Sequence, residues 1–210
     1  MTGLLLKDFY SLRQYSKTML FMLVFFAFLS AGMDNPASFF EGFMVIMSMM
    51  MAIYSFSYDN LARWDRFGLS LPVSRTEVVG GKYLLSLILC LAGGILAFIL
   101  SSVILAFRPV DGFGLKEHLF SLAGVSSMGI FLFSLLLPLI FKFGVEKSRL
   151  FLIAIFAAPT AAVISFGQLG VELPSPAVLL GLLKLLPLIA ASCFILSFLI
   201  SCRIYGSKEI

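Results

Sequence analysis

Long apolar runs separated by short polar breaks dominate the chain. Residues 18–32, 39–56, 83–107, 119–141, 150–166 and 188–202 are almost wholly apolar. A bilayer core of about 30 Å is crossed by roughly 20 apolar residues in a helix, and only helices or closed barrels satisfy their backbone groups there. Barrel strands would alternate apolar and polar residues, whereas these runs are continuous. The pattern therefore predicts an all-α, polytopic membrane protein with about six transmembrane helices.

Two stretches break the pattern. Within residues 4–16, Leu5, Leu6, Phe9 and Leu12 share one helical face, while Lys7, Asp8, Ser11 and Gln14 lie largely on the other. That is an amphipathic interfacial helix, too short and too charged to span. Near the C-terminus, Lys184 and Pro187 interrupt the last apolar stretch, which predicts a short re-entrant or interfacial piece before a span that starts at 188. The expected organisation is an interfacial helix over 1–17 and a membrane domain over 18–210, whose largest polar loop is 58–82.

Composition agrees with this class. Of the 210 residues, 60% are hydrophobic and 12% charged, against about 25% charged in soluble domains, and the mean hydropathy is +1.07. A chain of this size cannot hide that much apolar side chain from water. Charges interrupt the first 17 residues and no small-residue cleavage site follows before the first long run, so no cleavable signal peptide is expected. Cys90, Cys193 and Cys202 lie in or at the end of apolar runs without CxxC spacing, as small buried hydrophobes do. Neither a disulfide framework nor a zinc site is expected.

Charge also orients the spans. With six crossings, one side receives 12 of the 15 Lys and Arg residues, and only Arg108, Lys116 and Lys184 fall on the other. Cytoplasmic ends collect Lys and Arg, so both termini, the 58–82 loop and the 142–149 turn are expected in the cytoplasm.

Candidate chemistry is sparse. No phosphate-binding loop of the GxxxxGK[ST] type is present, and Gly80-Gly81-Lys82 lacks both the earlier glycine and the following hydroxyl, so nucleotide is not expected to bind here. No catalytic residue, metal ligand set or nucleic-acid surface is indicated. The single histidine, His118, reads as a solvated helix start. Glu41 and Lys184 read as groups that reach the interface from near the ends of spans. Methionines 44–51 scatter their thioethers around a helix, as adaptable packing does, rather than gathering them for copper. Gly93 and Gly94, in the third span, would allow another helix to approach closely and are taken as helix-packing residues.

The loop 58–82 carries the most information. Leu61, Trp64, Phe67 and Leu71 recur at helical spacing with Arg63, Asp65 and Arg66 between them, and Pro72 stops the pattern. Ser74 then reads as an N-cap with Glu77 at the third helical position, a capping box opening the next helix. Two interpretations fit the aromatic ridge. It could dock into a groove on a soluble partner, or lie on lipid headgroups with Trp64 as an interfacial anchor.

The run Trp64, Leu71, Pro72, Val73, Ser74, Arg75, Lys82 and Tyr83 resembles the first cytoplasmic loop of small bacterial ABC-2 type transporter permeases. The likeness is specific over about 25 residues, and the rest of the chain matches it in layout. It implies a permease subunit that works as a homodimer or paired with a homologous permease, on two copies of an ATP-binding cassette ATPase. ATP and Mg would then sit on the ATPase, with no cofactor on this chain. The resemblance makes Arg63, Trp64, Asp65, Arg66, Phe67 and Leu71 the contact helix to the ATPase, and Leu71, Pro72 and Arg75, followed by Glu77, its exit. Among such compact permeases are exporters of amphipathic peptides, including phenol-soluble modulins and bacteriocin-like peptides, and exporters of drugs or lipids. A cleft lined by Phe, Met, Leu, Ser and Gly would suit an amphipathic peptide or other lipophilic cargo. Two other classes stay open: a non-transporting anchor or sensor subunit, and a membrane-embedded lipid enzyme, which would need clustered His, Asp or Glu that the sequence does not offer.

Overall fold

The computed structural model describes residues 2–30, 32–33, 35–64, 74–107, 114–168 and 176–207, which contain seven α-helices and no strand. They are α1 (Thr2–Arg13), α2 (Ser16–Ser30), α3 (Pro36–Leu61), α4 (Arg75–Phe107), α5 (Leu115–Phe143), α6 (Val145–Gln168) and α7 (Pro176–Gly206). Among the described residues, four helices are long and apolar enough to cross a membrane: α3, α4, α5 and the Leu180–Gly206 part of α7. The apolar α2 has 15 residues, about 22 Å of rise.

One expected helix start holds and one expected break does not. The apolar run that starts at Tyr83 is carried by α4, which begins at Arg75, just after the expected cap, and continues for 33 residues, about 50 Å. The helix is therefore longer than a hydrocarbon core of about 30 Å. The start is fixed by the capping box read from sequence. The Glu77 N–H donates to Ser74 Oγ at 3.2 Å, and the Ser74 N–H donates to Glu77 Oε2 at 2.8 Å. At the other end of the chain, the expected break before 188 does not occur: α7 runs unbroken through Pro187. One proline removes one donor from a ladder of many, and membrane helices accommodate it. Lys184 and Pro187 are both exposed on the outside of α7.

The bundle is built chiefly on two helix pairs, α3 with α4 and α5 with α7, while α6 packs mainly on α5. Lipid tails are as apolar as leucine, so close van der Waals fit and interhelical hydrogen bonds must hold such helices together. Small residues provide the fit. A Cβ built on Gly93 would overlap the Ser48 hydroxyl of α3, and that hydroxyl lies 2.9 Å from the Met44 carbonyl and 3.2 Å from the Leu89 carbonyl. A Cβ on Gly94 would lie 3.2 Å from Ser126 of α5, and one on Gly129 would lie 2.9 Å from Val45 of α3. The glycine pair thus faces helices of its own chain. Leu85, Phe133, Leu136 and Leu137 fill the buried centre, whereas Leu91, Ile95 and Ile99 remain exposed on the outer side of α4. The three cysteines are free thiols.

Candidate coupling site at the basic end of the bundle

Charge gathers at the end of the bundle where α3 finishes and α4 starts. Lys82, one residue before the long apolar run, is buried. Its ammonium lies 2.9 Å from Asp8 of α1, 2.5 Å from Asp59 of α3 and 2.7 Å from the Ser55 hydroxyl. Lys7 pairs with the same two carboxylates, at 3.2 Å to Asp8 and in a shorter contact to Asp59. Two cations and two anions therefore cancel inside one cluster, and the ion pairs pin α1 onto the α3–α4 pair. Aromatic and polar contacts complete the join: Tyr15 stacks on Tyr54 with centroids 4.3 Å apart, and the Tyr58 hydroxyl donates to Gln14 at 2.6 Å.

Among the candidate coupling residues, four are described. Arg63 has a positive φ of 48° and is exposed, where the chain turns out of α3. Trp64 is half-buried and points back at the bundle. The Lys7 ammonium lies 4.2 Å from its ring centroid, a cation–π contact. The indole also lines a cavity of about 50 Å³ whose other walls include Phe56, Asp59, Lys82, Phe141 and Tyr205. Arg75 reaches the end of α7, donating to the Gly206 carbonyl at 2.6 Å, so it caps the negative end of that helix. Glu77 is the reciprocal partner in the α4 cap. Asp65, Arg66, Phe67, Leu71 and Pro72 lie outside the described residues.

One turn further into α4, the Tyr83 hydroxyl bonds Ser197 at 2.6 Å and Ser201 at 2.7 Å, both on α7. Ser197 in turn donates to the Ser134 carbonyl of α5 at 2.6 Å. Lys82 and Tyr83 are consecutive, so one step of α4 faces α1 and α3 and the next faces α5 and α7. Through these two residues the start of α4 is bonded to α1, α3 and α7 and, by way of Ser197, to α5.

The opposite end corrects two expectations. Glu41 and His118 were read as an interfacial anchor and a solvated helix start, but they are 0% and 3% exposed. His118 Nε2 lies 3.0 Å from Glu41 Oε1 and 2.7 Å from the Ser101 hydroxyl. The Ser121 hydroxyl donates to Glu41 Oε2 at 2.7 Å. Sequence reasoning also missed the Lys7–Asp8–Asp59–Lys82 cluster. In both cases a signal was available, because the six-span layout already placed the members at the same end of the bundle. Helical register alone could not show that they point inward.

This is a multi-helix membrane protein with no phosphate-binding loop of its own and a charged end at which α1, α3 and α4 are tied together. The sequence profile of the ABC-2 family transporter proteins matches residues 3–206, nearly the whole chain. The chain belongs to that family, as a multi-pass permease of the cell membrane. No curated protein and no solved structure matches it.

Proposed function

We propose that the chain is the membrane-spanning subunit of an ATP-binding cassette exporter, and that its 62–74 connection delivers the motion of a separate ATPase to the helices. The family match over residues 3–206 carries this reading. Two ATPase copies would serve a pair of permeases, either a homodimer or this chain with a homologous one. ATP and Mg would be consumed on the ATPase. Six crossings, with α2 and α6 joining the four long apolar helices and α1 lying at the interface, would put both termini and the Lys82 cluster in the cytoplasm, in keeping with the basic bias. The cargo is an amphipathic peptide or another lipophilic molecule.

In this mechanism the connection is held at both ends. Trp64 rests on Lys7 at its entry, and Arg75 ties its exit to the end of α7. A push on the connection then moves α1, α4 and α7 instead of being lost in slack. Trp64 acts as the internal anchor of the connection, and Arg63, Asp65, Arg66 and Phe67 are the residues that would meet the ATPase.

The test is to purify the chain with the ATPase subunit and compare unaltered protein with a Trp64→Ala and Phe67→Ala double variant. Buried aromatic anchors commonly contribute about 2 kcal/mol or more. The double variant is expected to insert normally, yet release the ATPase or hydrolyse ATP without cargo efflux. Unchanged pull-down together with unchanged efflux would remove the coupling role from this connection. Failure of the unaltered chain to retain any ATP-binding cassette ATPase would instead favour an anchor or sensor subunit.

A further inference from the structure

We propose that Glu41 and His118 form a proton-binding site that fastens the ends of α3, α4 and α5 together, opposite the Lys82 cluster, and exchanges its proton with the aqueous face through Ser121 and Ser38. Ionisable side chains inside a membrane protein are costly and mark ion or proton chemistry more often than structure. Here one acid and one base, from helices far apart in sequence, are buried at 3.0 Å from each other.

The hydrogen bonds fix where hydrogens sit. The Ser101 hydroxyl donates to the Ala97 carbonyl at 2.6 Å. With the hydrogen on His118 Nε2, the Ser101 oxygen accepts it at 2.7 Å, and Nε2 also lies 3.0 Å from Glu41 Oε1, an oxygen that accepts no hydrogen bond among the described residues. Beyond that hydrogen, the pair is neutral when it holds one exchangeable proton. It is then either a carboxylate beside an imidazolium, or a carboxylic acid beside a neutral imidazole. Removing the proton to solvent leaves a buried carboxylate with no counter-charge, and adding a second leaves a buried imidazolium. Either state disfavours the closed packing. The imidazole also stacks on Phe98 of α4, centroids 4.8 Å apart, so all three helices register the change.

Two hydroxyls lie between Glu41 and the outside of the bundle. Ser121 Oγ contacts Glu41 Oε2 at 2.7 Å and lies 3.4 Å from Ser38 Oγ. Both serines are half-buried, and Ser38 lines an open groove with Phe26, Phe39, Gly42, Phe43 and Ile46. Hydroxyls both donate and accept, so two of them in sequence can pass a proton between the groove and the carboxylate.

The other charged groups described at this end, Lys116 and Glu117 of α5 and Lys184 of α7, are all exposed. Glu117 accepts the Gly114 N–H at 3.1 Å. After Lys82, α4 carries only Tyr83 and Cys90 as titratable groups, the first towards the basic end and the second near the middle of the helix. Lys17 on α2 and Tyr54, Tyr58 and Asp59 on α3 also lie towards the basic end.

The experiment is a proton titration of the purified full chain in lipid nanodiscs, following apparent melting temperature between about pH 5 and 8, the range in which histidine changes charge. The unaltered protein is expected to lose at least about 4 °C at one edge of this range relative to its best pH. Glu41→Gln cannot exchange the proton and is expected to flatten the profile. A purely structural hydrogen bond would displace the profile downwards without changing its shape, and that result overturns the proposal. If Glu41→Gln does not fold, infrared spectra of the unaltered chain read the site directly. A buried carboxyl band that titrates, and that shifts in Ser121→Ala, supports the proposal, while its absence across the range rejects it.

Discussion

Replacing Lys82 by methionine tests the clamp at the basic end. The change keeps most of the side-chain volume and removes the ammonium that lies between Asp8 at 2.9 Å and Asp59 at 2.5 Å. The Lys82 and Asp8 side chains are 6% and 3% exposed, so bulk solvent only weakly replaces the lost interaction. Lys7 remains as the single cation for two carboxylates. Breaking a buried pair by removing one partner costs about 3–5 kcal/mol, which for a chain of this length lowers the melting temperature by about 6–20 °C. The assay is thermal unfolding in nanodiscs, with Lys142→Met as control, because Lys142 is exposed and surface changes usually stay within about 0.5 kcal/mol. Combining Lys82→Met with Asp8→Asn separates pair from packing. If the ions act as one unit, the double variant is less destabilised than the two single effects predict, with a coupling of about 0.5–3 kcal/mol. A shift below about 2 °C for Lys82→Met, or strict additivity in the cycle, would show that α1 is not held by this cluster.

Three further outcomes are expected. Gly93→Ala displaces the Ser48 hydroxyl from its bonds and costs about 1–3 kcal/mol, but it should be nearly neutral in a Ser48→Ala background, because the Ser48 Cβ is 3.6 Å from the new methyl. Equal losses in both backgrounds would place the tight contact elsewhere. A cysteine introduced at Ser207 should resist an impermeant thiol reagent in intact cells and react once the membrane is opened, and efficient labelling in intact cells would reverse the orientation. Arg63→Ala should leave folding unchanged and make ATPase association more sensitive to salt, which pull-down across an ionic-strength series measures.

The hydrophobic pattern by itself determined the class of this protein. Continuous apolar runs admit only helices in a bilayer, because no water is present there to satisfy an unpaired backbone. Local chemistry also placed the start of α4, since Ser74 and Glu77 are three residues apart and need no distant partner to form their cap. Sequence alone misplaced the features that depend on neighbours. Pro187 looked like a break, yet a membrane helix absorbs the loss of one donor. Glu41 looked like a group reaching for the interface and His118 like a solvated helix start, because burial is a property of the surrounding helices and no periodicity records it. Tertiary packing supplied the partners: Asp8 and Asp59 around Lys82, Ser101 and Ser121 around Glu41 and His118. An ion inside the bundle is stable only where several helices bring the opposite charge and hydrogen-bond partners within about 3 Å. That convergence of distant residues exists only in the folded bundle.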